Sequence, residues 1–247
     1  SRQFVQTWQI IPIYTDQNDV LAPVHQYLKS VNAKVATIIK LDAATDTFQS
    51  VQELSENVDM FLFLKNISEI NFEINEPYRV EINHLKTGSV ELKTNGNIQA
   101  RWLVNTIILD VPSELSSALE DERNIPEKLS KAKNMELTLA AKIGEDGVTE
   151  LETSEKLLYS YLPTDETKYQ FPVLVNTSFL TNANREHLHT DSKWNQWLFK
   201  NIAIEIFKWI SILVVGQLKS QAYKLIPKRI FDDELGRHFN IGINKAI

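Results

Sequence analysis

Apolar side chains recur with two different periods along this chain, and the period changes near residue 190. Upstream of that point most apolar positions alternate with polar ones, as half-buried strands require, because successive side chains of an extended backbone point to opposite faces. Ile67, Ile70, Phe72 and Ile74 open the series, then Tyr78, Val80 and Ile82, then Val90 to Lys93, then a long run from Ile98 to Asp110. Pro77, Thr87-Gly88-Ser89 and Asn95-Gly96 fall where antiparallel strands would turn. Met135, Leu137, Leu139, Ala141 and Ile143 alternate again before the turn Gly144-Glu145-Asp146-Gly147, and 157–162 and 171–175 are further strand candidates. Ser113 as a cap predicts a short helix over 113–121, and Pro126 at a first helical position predicts another.

From Asp191 onward the period is helical. Trp194, Leu198, Ile202, Ile206, Trp209 and Leu213 follow steps of four, four, four, three and four, flanked by Phe199, Ala203, Phe207, Ile210 and Val214. This predicts a long helix over 191–216, capped by Asp191 or Ser192, stopped near Gly216, and central to its domain because most of its circumference is apolar. Nearer the N-terminus, 8–14 and 35–41 read as strands, 42–57 has helical period, and Met60 to Leu64 fits either state. The predicted class is α+β: a mixed, mainly antiparallel sheet with helices on one side, followed by a long-helix C-terminal segment. The expected divisions are a strand and helix segment at 1–65, an α+β middle domain at 66–190 and a helical segment at 191–247.

Composition removes several kinds of chemistry. With no cysteine among 247 residues, disulfides, thiolate zinc sites, iron–sulfur clusters and a cysteine nucleophile are excluded, and the balance fits a reducing cytoplasm. The seven glycines form neither GxGxxG nor GxxxxGK[ST], so no common phosphate-cradling loop is present. The first residue is Ser1 and no charged or apolar leader region follows, which reads as a piece excised from a longer polypeptide. The longest apolar run, 209–216, is far short of the ~20 residues of a membrane helix. Residues 1–125 carry 10 basic and 17 acidic side chains, which argues against a nucleic-acid face there. Residues 126–247 carry 16 and 15, and Lys219, Lys224, Lys228, Arg229 and Arg237 form a basic stretch that is either a solvated helix face or a contact for acidic partners.

Of the five histidines only His187 and His189 lie close together, and an H-x-H pair beside Arg185 and Glu186 lacks the further ligand that a metal site needs, so none is expected. No G-x-S-x-G elbow is present. The informative segment is 171–199, FPVLVNTSFLTNANREHLHTDSKWNQWLF, where Asn176, Asn182, Asn184, Arg185 and His189 cluster where a strand gives way to a helix. If Asn184 caps a short helix, Arg185 and His189 share a face, and the guanidinium could grip phosphate oxygens with two parallel hydrogen bonds. From spacing alone the residues favour a structural role, in which Arg185 pairs with Glu186 or Asp191 and His187 or His189 is a surface residue.

This segment resembles the middle-domain motif of GHKL ATPases of the heat-shock-chaperone class, and more closely the repeats of sacsin and of large bacterial sacsin-like ATP-binding proteins. The chaperone phrase Leu-Asn-x-Ser-Arg-Glu-x-Leu-Gln meets Leu180 to His189 here: Arg185, Glu186 and Leu188 match, Asn184 stands for Ser and His189 for Gln. Sacsin-like phrases on either side are similar to 175–180, VNTSFL, and to 194–198, WNQWL, with weaker echoes at 61–67 and at 157–163. The resemblance spans about 60–200 and is specific over 171–199. It implies that Arg185 contacts the γ-phosphate of ATP in cis, that His189 makes a second contact, and that Asn184, Asn182 and Asn176 contribute to binding. It also implies that ATP and Mg2+ are held only by an N-terminal domain upstream of this chain, which itself binds neither and is inactive alone, although its parent is an ATP hydrolase. The partners so implied are that ATPase domain and a protein client or a second copy. The alternative from a different class is a non-catalytic scaffold, in which 191–216 and the basic stretch contact a partner and Arg185 is structural.

Overall fold

The computed structural model describes residues 22–32, 49, 51–53, 57–73, 77–86, 88–120, 125–182, 187–227 and 231–247. The chain divides into two compact units, 1–46 and 47–247. In the first, helix α1 (Ala22–Ser30) is closed by the Ser30 hydroxyl donating to the Tyr27 carbonyl at 2.7 Å. The strands expected at 8–14 and 35–41 lie outside the described residues.

The second unit is built on one nine-stranded sheet: β1 (Glu69–Glu73), β2 (Pro77–His84), β3 (Ser89–Thr94), β4 (Asn97–Asp110), β5 (Asn134–Gly144), β6 (Gly147–Val148), β7 (Leu158–Ser160), β8 (Leu162–Pro163) and β9 (Leu174–Asn176). The order is β1-β2-β3-β4-β5-β9-β7-β8, with β6 paired to β5, and every pair is antiparallel except β7 with β9. The spine is the β4–β5 ladder, in register from Arg101↔Ile143 to Asp110↔Asn134. Helices α2 (Ser113–Glu120) and α3 (Glu127–Ser130) lie in the connection between these two strands, and α4 (Lys193–Val215) and α5 (Glu234–Ala246) follow the sheet. The fold is α+β, open and mostly antiparallel, with a 23-residue helix near its C-terminal end.

Alternation sorts the strands onto two cores. Leu103 and Leu109 of β4 and Leu137, Leu139 and Ala141 of β5 face one side, where Leu198, Phe199, Ile202, Ile206 and Trp209 of α4 cover them. Ala100 and Trp102 of β4 face the other side with Val80, Ile82, Val90 and Leu92. This second face is sealed by the stretch that fits either state in sequence: 58–61 is a 3-10 turn, and it buries Val58, Phe61, Leu62 and Phe63. The opposite face of β1 to β3 remains polar and is laced by the Arg79–Glu69 pair at 2.8 Å and by Arg101 of β4 to Glu91 of β3 at 2.9 Å.

Helix α4 starts where Ser192 accepts a hydrogen bond from the Trp194 amide at 3.2 Å and stops at Gly216. It buries a continuous stripe from Trp194 to Leu213. Helix α5 begins at Asp233, whose Oδ1 accepts from the Gly236 amide at 2.8 Å while Oδ2 receives the Tyr169 hydroxyl and the Lys168 ammonium. Three expectations are corrected. The Pro112 carbonyl takes the first bonds of α2, from Leu115 and Ser116, so Ser113 is a helical residue and not the cap. Pro126 is the cap of α3 and not its first residue. The run 157–162 breaks at Tyr161, which turns the chain between β7 and β8 with φ 68°.

Candidate functional site

The stretch 174–191 leaves the sheet at β9 and ends at the cap of α4, and its backbone is held by side chains at nearly every step. Asn176 closes β9 with 5% of its surface exposed, and its Oδ1 accepts from the Tyr161 amide at 2.9 Å. The Thr177 amide donates to the Tyr159 carbonyl at 3.1 Å, and its hydroxyl donates to the Glu136 carbonyl at 2.7 Å. The Ser178 carbonyl accepts from the indole of Trp194 at 2.8 Å. Each of these bonds satisfies a backbone or side-chain group that burial would otherwise leave unpaired.

Beyond this point the chain folds back on itself. Thr181 and Leu188 form an antiparallel bridge, the Asn182 amide donates to the His187 carbonyl at 2.9 Å, and the His189 amide donates to the Leu180 carbonyl at 3.0 Å. The Asn182 Oδ1 accepts from the His187 amide at 3.3 Å. These pairings place 187–189 opposite 180–182, so His189 is not part of a helix begun at Asn184. Residues 183–186, which include Asn184, Arg185 and Glu186, lie outside the described residues.

The element that fixes both flanks is the first turn of α4. Asn195 is fully buried; its Oδ1 accepts from the Leu180 amide at 2.9 Å, and its Nδ2 donates to the carbonyls of Leu180 at 2.7 Å and His189 at 2.9 Å. Gln196 reaches the Thr190 and Asp191 carbonyls at 3.4 Å. The tryptophans on either side fill space: Trp194 is buried, and its ring tilts against Trp197 at 5.2 Å. The phrase Trp194-Asn195-Gln196-Trp197-Leu198 therefore packs and clasps the segment before it.

Of the candidate residues, Asn176, Asn182 and His189 fall along one strand-and-return path, with Asn176 buried and His189 exposed. Asn195 is the residue that reading by composition and spacing passed over. Its signal was an amide inside the first turn of an apolar helix, between two tryptophans, where a polar side chain needs internal partners. Among the described residues no three His, Asp or Glu side chains are grouped to hold a metal ion, and no helix is long and apolar enough to cross a membrane. Compared with known proteins, the chain matches no family model, no curated protein and no solved structure.

Proposed function

We propose that this chain is the middle portion of a chaperone-like, sacsin-like ATPase, in which Arg185 reaches the γ-phosphate of ATP held with Mg2+ by an upstream domain in cis. The observation that carries the reading is the Asn195 clasp. It fixes Leu180 and His189 on the two sides of 183–186 and so gives a remote contact residue a rigid base. Phosphoryl transfer needs little covalent chemistry from the protein; a guanidinium delivered to the γ-oxygens neutralises charge and positions the group. Because that guanidinium belongs to a second domain, its engagement couples nucleotide state to the angle between domains. His189, exposed after the Thr181–Leu188 bridge, has a ring nitrogen that can donate a second hydrogen bond. A reducing cytoplasm suits a chain without cysteine.

The test is Arg185→Ala in the parent protein with its ATP-binding domain present. ATP affinity stays within about twofold while turnover falls by ~10³ or more, the range of a lost arginine finger. Unchanged turnover overturns the reading. It would instead favour a scaffold, for which the supporting observation is the exposed apolar end of α4, where Ile212 and Val215 are 66% and 90% exposed.

A further inference from the structure

On the sheet face opposite α4, a cavity of about 410 Å³ opens beside the 3-10 turn 58–61, with Glu53, Asp59, Trp102, Glu155, Tyr159 and Leu174 among its walls. Its size suits a small ligand. Three of those walls are carboxylates: the Lys142 ammonium serves two of them, and Glu53 Oε1 accepts from the Gln49 side-chain amide at 2.9 Å. Lys142 Nζ lies 3.2 Å from Asp59 Oδ2 and 2.5 Å from Glu155 Oε1, and 5.5 Å from the centre of the Trp102 ring. The Trp102 indole donates to Asp59 Oδ1 at 3.1 Å, and the Glu152 amide donates to Glu155 Oε2 at 2.7 Å. Lys142 thus braces two of the acids, and three lining carboxylates against one ammonium leave the cavity with an excess of negative charge.

Tyr159 supplies the second, independent observation. Only 3% of its surface is exposed, its ring meets Phe63 edge-on at 4.8 Å, and its hydroxyl has no hydrogen-bond partner among the described residues. The one side-chain polar atom both sealed from solvent and unpaired among the described residues is Gln221 Oε1, so the unpaired Tyr159 oxygen is not sealed off. Here it lines the cavity, within the fields of Asp59 and Glu155. The wall thus offers acids, a free phenol, an indole edge and apolar surface at Leu157 and Leu174.

We propose that this cavity binds a small organic cation, a primary ammonium on a short apolar stem, with the head between the Tyr159 phenol oxygen and the carboxylates of Glu53 and Glu155 and the stem along Leu157 and Leu174. An anion would meet the excess of carboxylate. Aromatic and acidic walls together stabilise an ammonium that has left water. The inference does not depend on the ATPase reading, because none of its residues belongs to 171–199 except Leu174. The same chemistry could arrive as a free amine or as a lysine side chain of a peptide.

The experiment is a titration of the ¹⁵N-labelled chain with n-butylammonium chloride, with Nα-acetyl-lysine methylamide and with n-butanol, following the Trp102 indole N–H signal. Butylammonium shifts that signal with a dissociation constant on the order of millimolar, as befits a fragment of this size, and n-butanol does not. Tyr159→Phe, which keeps the ring, weakens binding about fivefold or more, the value of one hydrogen bond. Glu53→Gln, on the exposed rim, weakens it as well and decides the matter if Tyr159→Phe fails to fold. Tighter binding of the blocked lysine assigns the site to a peptide, and tighter binding of butylammonium to a free amine. An unshifted indole, an equal response to n-butanol, or undiminished affinity in the folded variants overturns the proposal.

Discussion

Asn195 and Leu180 are joined twice: the Asn195 side-chain oxygen accepts from the Leu180 amide at 2.9 Å, and its nitrogen donates to the Leu180 carbonyl at 2.7 Å. A side-chain amide has the donor and acceptor of a peptide unit, so a helix residue here takes the place of a neighbouring strand. The same nitrogen also reaches the His189 carbonyl at 2.9 Å, which makes the clasp span both arms of the returning chain. Because Asn195 is fully buried, water does not stand in for any of these bonds.

Replacing Asn195 by Ala is expected to cost about 3 kcal/mol, because it leaves an amide and part of the capacity of two carbonyls unpaired in a buried setting. Asn195→Asp fares no better, since a carboxylate accepts from Leu180 but cannot donate to two carbonyls, and it adds a buried charge. Gln196→Ala, which loses only contacts of 3.4 Å, changes stability by less than about 0.5 kcal/mol. Urea unfolding of the three variants is the measurement. An Asn195→Ala loss no larger than that of Gln196→Ala would show that the clasp carries no energy.

Asp233 sets a pH limit on the helix α5 anchor. Burial pushes its carboxyl up, but hydrogen bonds from Lys168, Tyr169 and the Gly236 amide outweigh burial and hold it below the usual carboxylate range. The unfolded chain therefore binds the proton more readily, so this stabilisation is complete above the ordinary carboxylate value of about 4 and is lost as pH falls through the folded value. Tyr169 acts at the other end: burial first, and its bond to Asp233 second, raise its phenol, so its contribution is complete below about pH 10 and declines as pH rises further. Asp233→Asn should flatten the acid limb of a stability-versus-pH curve while leaving the neutral plateau lower. An unchanged acid limb would assign that limb to other carboxylates.

The sheet and the long helix were legible in sequence because each has a strict period. Alternation marked β2, β3, β4 and β5 to within a residue or two, and the four-residue steps from Trp194 to Leu213 marked α4 with Ser192 and Gly216 at its ends. The short strands were less legible. Runs 157–162 and 171–175 read as single strands, yet a positive φ at Tyr161 breaks the first, and only Leu174 and Val175 of the second fall in β9, which runs on to Asn176. Their bounds depend on partners distant in sequence, which periodicity cannot reveal. The same holds for the clasp: Asn182 and Asn195 were visible as polar residues, but Asn195 acts on Leu180, fifteen positions away, through geometry that exists only after α4 docks.

Asn176 has an internal task that is testable apart from any ligand. Its Oδ1 holds the amide of Tyr161, a non-glycine residue in the left-handed region at φ 68° with 58% of its surface exposed. Asn176→Ala removes the acceptor from a buried position and is expected to cost about 2 kcal/mol, and Asn176→Asp, which keeps the acceptor but brings a charge into the same buried position, fares no better. Tyr161→Gly relieves the left-handed strain and, after the greater freedom of the unfolded chain is counted, stabilises by roughly 0.5 kcal/mol. Thermal unfolding of the three proteins measures these differences. Destabilisation by Tyr161→Gly would mean that the exposed ring makes contacts worth more than the strain.

Gly242 tests how closely the two C-terminal helices must pack. It lies inside α5, where Ala would ordinarily gain about 1 kcal/mol in helix propensity. A Cβ there would stand 2.2 Å from the Lys200 carbonyl oxygen and 2.7 Å from the Ala203 Cβ, both on α4. The obstructing oxygen is backbone, so the helices must separate to admit it, and the expected net loss is about 1–3 kcal/mol despite the better propensity. Asn244→Ala, two residues on and exposed, receives the propensity gain without the clash and should stabilise by a few tenths of a kcal/mol. Denaturant midpoints of the pair decide it: opposite signs establish contact between α4 and α5 backbones as the reason for glycine, and a stabilising Gly242→Ala would show that the helices can part without cost.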